Sequence, residues 1–311
     1  HLPGDSKEGQ LLVLGHSDTV YPKGTLASMP WVEGDGRLQG PGVFDMKGGI
    51  ALFVFAMRAL RDLNVPVKRR VLLQLNSDEE VGSPTSRPIT EEEALRSVAV
   101  LVVEPAAGAD GKAKTARKGV GDYTVTVRGR SAHAGLDFAS GANAILELAR
   151  QIDRISSFTD MERGLTVNPG VITGGTRSNV VADFASCEFD FRVSQAADAA
   201  VVEQRFGSLC PVDPRCTLQV EGGLNRPPLE RTDAVVQLYR TARAIAEDLG
   251  FELGETAVGG GSDGNFTAGL GVPTLDGIGA VGDGAHTPGE YVLTRPMAQR
   301  TAMLARLVAE L

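Results

Sequence analysis

The sequence predicts an α/β protein with a mostly parallel sheet and helices on both faces, interrupted by a smaller α+β domain of the ferredoxin-like kind. Three observations predict it. The first third alternates apolar strand-like runs with a long helical run. The middle changes to one-sided strands in the order β-α-β-β-α-β. After Arg226-Pro227-Pro228 the opening pattern resumes. The larger domain is expected at 1–117 and 230–311, and the insert at 118–229. A chain of 311 residues has room for two cores.

Leu11 to Gly15 reads as a buried strand. Gly48 to Leu63 reads as a helix, with Ile50 to Met57 making it well buried. Val71 to Leu75 is a second strand. Val98 to Val103 is a third, nearly all apolar, as a strand covered on both faces should be. Tyr123 to Val127 alternates with period 2, as a strand with one wet face does. An amphipathic helix over Ala142 to Ile155 follows. Leu165 to Thr173 and Val180 to Val193 read as strands, Ala196 to Leu209 as a helix and Thr217 to Glu221 as a strand. Asp233 to Leu249 is then a helix, Val272 to Leu275 a strand and Arg295 to Leu311 a closing helix.

Composition narrows the function classes. Hydrophobic residues make up 42% and charged residues 23%, an ordinary globular mixture. A net charge of -8 argues against a nucleic-acid partner. No apolar run of about 18 residues exists, so no membrane span is expected. The chain enters its first strand within ten residues of His1, with no initiator Met and no leader, so an upstream segment is expected to be missing. Cytoplasmic, periplasmic and secreted locations all remain compatible with it. Cys187 reads as buried filler in a strand. Cys210 and Cys216 either pair across a turn-like stretch or stay free.

Acidic and histidine residues cluster at element ends, where open α/β sheets place their sites. His16-Ser17-Asp18 follows the first strand. Asp45 stands before a helix in Gly40-Pro41-Gly42-Val43-Phe44-Asp45-Met46-Lys47-Gly48-Gly49. Asp78-Glu79-Glu80 follows the second strand, Glu104-Pro105 ends the third, and His286-Thr287-Pro288-Gly289-Glu290 lies near the C-terminus. Taken singly, each has a plainer reading: a structural histidine, a helix cap at Asp45, a solvated acidic turn at 78–80. Together they fit a pair of hydrolytic metal ions roughly 3.5–4 Å apart, which need one shared carboxylate and their own terminal ligands. His16 and Glu104 would serve one ion, Glu80 and His286 the other, and Asp45 both. Glu79 is then left over as a general base, and Asp18 is placed to support the His16 ring.

These motifs, with Asp18-Thr19-Val20-Tyr21, Arg177-Ser178-Asn179-Val180-Val181 and Asn225-Arg226-Pro227-Pro228, resemble a zinc exopeptidase and deacylase family across essentially the whole chain. That family includes carboxypeptidase G, acetylornithine deacetylase, succinyl-diaminopimelate desuccinylase and aminoacylase. The likeness is greatest to the carboxypeptidase G (glutamate carboxypeptidase) branch.

The resemblance implies two Zn²⁺ per subunit, with Co or Mn able to substitute, on the ligands assigned above. It implies a cis peptide bond between Asp45 and Met46. It also implies a catalytic zinc-binding domain carrying a lid and dimerisation domain, and hence a homodimer. His133, in Ser131-Ala132-His133-Ala134-Gly135, would reach a partner's active site and stabilise the oxyanion; the plainer reading is an exposed polar loop. Asn179 and Arg192 would line the closed site, although Arg192 also reads as a strand residue facing solvent. Arg226 would grip a substrate carboxylate, as a guanidinium fork suits. In Gly259-Gly260-Gly261-Ser262-Asp263-Gly264-Asn265 no Lys follows at P-loop spacing, so a phosphate cradle fails. The resemblance gives the Gly260-Gly261 backbone to the substrate carboxylate instead. The expected substrate is a small peptide or N-acyl amino acid, with release of a C-terminal amino acid. Deacylation of acetylornithine or succinyl-diaminopimelate type, dipeptidase action and a non-catalytic homologue stand as alternatives.

Overall fold

The computed structural model describes residues 9–311; His1 lies outside that range. The chain divides into two compact units. One holds the residues up to Arg117 together with Leu229–Leu311, and the other is Lys118–Pro228.

The larger unit begins with β1 (Gln10–His16), β2 (Val32–Gly34), β3 (Arg37–Gln39), α1 (Gly48–Asp62), β4 (Arg70–Asn76), α2 (Arg87–Leu95), β5 (Ser97–Val102) and β6 (Ala113–Arg117). The smaller unit holds β7 (Gly119–Arg128), α3 (Ala144–Ser156), β8 (Thr166–Gly174), β9 (Phe184–Val193), α4 (Ala196–Gly207) and β10 (Thr217–Arg226). The larger unit resumes with α5 (Asp233–Asp248), β11 (Glu255–Val258), α6 (Gly264–Gly269), β12 (Thr274–Leu275), β13 (Gly282–Asp283), β14 (Tyr291–Leu293) and α7 (Met297–Glu310).

The central sheet of the larger unit has the order β12-β5-β1-β4, and its three pairings are parallel. Its strands lack period 2 because both faces are covered. Leu11 and Val13 point into a core with Phe53 and Leu60 of α1, Ile245 of α5 and Leu304 of α7. Leu12 and Leu14 point the other way, onto Ala94 of α2 and onto Val100 and Val102. Each fully buried Leu or Val there contributes roughly 2 kcal/mol of transfer free energy. The start of α1 lies hard against β5. A Cβ at Gly49 would stand 1.8 Å from the Val103 carbonyl oxygen, so only glycine fits.

The smaller unit is an antiparallel sheet of order β10-β7-β9-β8. In chain order that is fourth, first, third, second strand, as the split β-α-β-β-α-β unit requires. It has its own core, with Phe189, Phe191, Phe206 and Leu148 inside. Over the whole chain the sheets are mixed. β6 pairs with β11 in parallel, while β13-β14-β3-β2 is antiparallel.

Several elements differ from the sequence reading. The strand expected from Val180 starts at Phe184, and Val180 makes only an isolated bridge to His133. Polar Asn179 and Asp183 interrupt the apolar alternation there. Strands β2, β3, β13 and β14 have two or three residues each, too short to show a period. Helix α2 was unread because it buries only Thr90 and Ala94, although Pro88 marks its first turn. The closing helix starts at Met297, beyond Pro296. Cys187, Cys210 and Cys216 are free thiols. No helix among the described residues is long and apolar enough to cross a membrane.

Candidate metal centre

Three strand ends deliver most of the site. β1 ends in His16, the turn after β4 carries Glu79 and Glu80, and Glu104 follows β5. Asp45 sits in a wide helical turn, Val43–Lys47, whose φ/ψ leave the helical region at Asp45 and Met46. The Asp45–Met46 peptide bond is cis. His286 comes from the loop between β13 and β14, in the left-handed region at φ 64. Such a conformation is uncommon for a residue other than glycine.

The two oxygens of Asp45 face different histidines. Oδ1 is 3.1 Å from His16 Nε2, and Oδ2 is 3.3 Å from His286 Nε2. Each imidazole has a further carboxylate of its own: Glu104 Oε1 is 3.4 Å from His16 Nε2, and Glu80 Oε2 is 3.4 Å from His286 Nε2. Glu79 Oε2 stands 4.0 Å from His16 Nε2. On the far side of the His16 ring, Nδ1 lies 3.2 Å from the Asp18 carbonyl oxygen and 3.4 Å from Asp18 Oδ1. Asp18 Oδ2 accepts from the Glu80 backbone N–H at 3.0 Å, tying the two loops together.

The electrostatics are those of a site short of positive charge. Burial would lower the His16 pKa, but the hydrogen bonds to Asp45 and Glu104 and the charges of Glu104 and Glu79 push it up to about 12. Burial would raise Asp45, yet His16 and His286 hold it below the usual carboxylate range. Glu80 is pushed up, by burial and then by the Asp45 charge. Glu80 Oε1 is buried without a hydrogen-bond partner. Ligand atoms of His16, Asp45 and Glu80 lie within 4.8 Å of one another. Imidazole and carboxylate donors converging with an orphaned carboxylate oxygen fit divalent cations of the zinc type.

Beyond Asp18, two groups that hold these candidate ligands, Glu290 and Arg117, had no role in the sequence reasoning. Glu290, fully buried, accepts from the backbone N–H groups of Gly42 (2.9 Å), Phe44 (2.8 Å) and Asp45 (2.9 Å), and so fixes the Asp45 turn. Its position at the end of the His286–Glu290 loop was the only hint. Arg117, also buried, binds Asp276 with two bonds of 2.8 Å and reaches Glu104 Oε2 at 3.3 Å. Nothing local in the sequence marks that pairing.

The other predicted residues are placed as follows. Gly260 and Gly261, ahead of the six-residue α6, accept from Arg117 Nη1 through their carbonyls, both at 3.1 Å. In the smaller unit, His133 is exposed, and its Nδ1 accepts from the N–H groups of Gly135 and Leu136, both at 3.1 Å. That leaves Nε2 to carry the proton of the neutral ring. The Asn179 carbonyl accepts from Ala134 N–H at 2.9 Å. Arg192 is turned onto its strand neighbour Asp190, with Nη2 2.7 Å from Oδ2. Arg226 is buried, with Nη1 3.1 Å from Asn225 Oδ1.

A carboxylate shared by two histidines, at the strand ends of an α/β sheet, is the donor arrangement that a metal-dependent hydrolase needs. The chain belongs to peptidase family M20/M25/M40, whose model it matches over residues 12–310. It is 32% identical to carboxypeptidase G2 of Pseudomonas sp. (strain RS-16), over 97% of this chain and 74% of that protein. It is 30% identical to acetylornithine deacetylase of Myxococcus xanthus, over 99% of this chain and 82% of that protein. Aminopeptidase PepT of Bacillus cereus shares the fold with a TM-score of 0.80 at 24% identity, over 99% of this chain and 82% of that one. A dinuclear metal binding peptidase of Bacillus subtilis shares it with a TM-score of 0.69 at 14% identity, over 99% and 82%. The chain is thus a hydrolase of the metallopeptidase and amidohydrolase kind.

Proposed function

We propose that this chain is a di-zinc hydrolase that cleaves an amide bond to release a C-terminal amino acid, in the manner of a glutamate carboxypeptidase. The observation that carries the reading is Asp45, with one oxygen 3.1 Å from His16 and the other 3.3 Å from His286. His16, Asp45 and Glu104 would hold one ion, and Asp45, Glu80 and His286 the other. Cobalt or manganese suits the same donors. Zinc bound there supplies Lewis acidity, which polarises a carbonyl and makes water a nucleophile near neutral pH.

The chain's own residues do the rest. Glu79 takes the proton of the attacking water and passes it to the leaving amine. Asp18 fixes the His16 ring through Nδ1. His133 of the partner subunit donates its Nε2–H to the developing oxyanion. Arg226, with Asn179 and Arg192, binds the carboxylate of the amino acid to be released, together with the Gly260-Gly261 backbone. In this reading the insert is a lid and the dimer contact. Its closure excludes water from the site.

A second reading is an N-acyl-amino-acid deacylase or dipeptidase. It is favoured by the 30% identity to an acetylornithine deacetylase over 99% of the chain. One panel separates them: zinc-loaded protein is offered a folyl-glutamate, N-acetylornithine and dipeptides. Preferential glutamate release supports the first reading, and preference for N-acetylornithine or a dipeptide supports the second. No hydrolysis of any of them removes both.

A further inference from the structure

Arg117 occupies the last position of the larger unit before the chain crosses into the insert. Its backbone pairs with Leu229, where the chain returns: Arg117 N–H donates to Leu229 O at 2.9 Å, and Leu229 N–H to Arg117 O at 3.1 Å. Its side chain is 3% exposed. A guanidinium has five N–H donors, and each has an acceptor here. Nε and one N–H of Nη2 go to the two oxygens of Asp276, which is itself 0% exposed. The two of Nη1 go to the carbonyls of Gly260 and Gly261. The fifth, on Nη2, goes to Glu104 Oε2 at 3.3 Å. Asp276 also accepts from Ser262 Oγ at 2.5 Å, so the anchor is itself held.

The consequence falls on Glu104. Oε2 accepts from Arg117, which orients the carboxylate so that Oε1 faces His16, 3.4 Å away. We infer that Arg117 is a positioning residue, which sets Glu104 for one of the two cation positions and leaves the other position untouched. The inference rests on the di-metal reading above. A lysine has three donors and no planar fork, so it cannot hold both oxygens of Asp276, the two carbonyls and Glu104 together.

The test is a cobalt(II) titration of chelator-stripped full-length protein, followed by calorimetry and by visible absorption. Wild type is expected to take two equivalents. Arg117→Lys is expected to bind one equivalent as wild type does and the other tenfold or more weakly, the range seen when partners of metal ligands are changed. Glu104→Gln should weaken that same equivalent, and Arg117→Lys added to it should cause no further loss. If Arg117→Lys lowers Tm while both equivalents bind within twofold of wild type, Arg117 is only a structural staple and the inference is overturned. If Arg117→Lys does not fold, Asp276→Asn, which loosens the same guanidinium, is judged by the same two outcomes. Wild-type protein that takes no cobalt overturns the di-metal reading and this inference with it, whereas two normal equivalents in Arg117→Lys remove the inference alone.

Discussion

His16 lies among Asp45, Glu79 and Glu104, which keep it protonated in the metal-free protein far above its ordinary 6.5. Because the folded pKa is the higher one, the stability gained from these contacts is complete below pH 6.5. It fades only as pH climbs towards about 12. A cation that binds His16 must therefore displace a proton. Calorimetric zinc binding at pH 7 should release about one proton from this ring, seen as a heat that changes with buffer ionisation enthalpy. A buffer-independent heat would show that His16 is not a ligand. For Glu79, the expectation is that Glu79→Gln keeps its metal by elemental analysis and loses about 10²–10⁴-fold in kcat. Near-normal turnover would remove Glu79 as the base.

At the scale of elements, the structure shows what holds the site in place. Asp45 was legible from its own neighbourhood, but the carboxylate that fixes its turn comes from Glu290, 245 residues away. Such a partner has no local signature, because its meaning depends on where the chain returns. The same holds for Arg117 and Asp276, 159 residues apart. The strand-end positions of His16, Glu79, Glu80 and Glu104 were readable because an apolar run followed by His, Asp or Glu is a local event. Two- and three-residue strands were not, since they offer no period. Removing Glu290 acceptors should therefore loosen Asp45: Glu290→Ala takes the acceptor from the buried N–H groups of Gly42 and Phe44, at a cost of about 1–3 kcal/mol each before relaxation, and from the part-buried N–H of Asp45. Urea unfolding measures it, and a loss under about 0.5 kcal/mol would be inconsistent with a structural role for that carboxylate. In the insert, burial would raise the Glu147 carboxyl, but the N–H groups of Val212 and Asp213 and the Gln151 amide hold it below its ordinary 4.5. Its contribution is present above pH 4.5 and lost as pH falls below it. Glu147→Gln should flatten the acid limb of the unfolding profile, and an unchanged limb would assign acid sensitivity elsewhere.

For the whole molecule, two compact units, with the candidate metal ligands in only one of them, make a joint prediction. His16, Asp45, Glu80, Glu104 and His286 all belong to the larger unit. Calorimetric unfolding should show two transitions, and zinc should raise the one that belongs to this unit while leaving the other in place. A single transition that moves as one would mean that the units unfold together. The paired crossing at Arg117 and Leu229 adds a consequence for how such a chain is assembled. The 111 residues of Lys118–Pro228 leave and rejoin the framework at two antiparallel, hydrogen-bonded neighbours. Those are the ends of a hairpin in all but the turn. Replacing the whole segment by a short Asn-Gly link would close a gap that the backbone already spans, with little loop-closure entropy. In modular terms the insert is a cassette, and its docking point is a β-turn that was never closed.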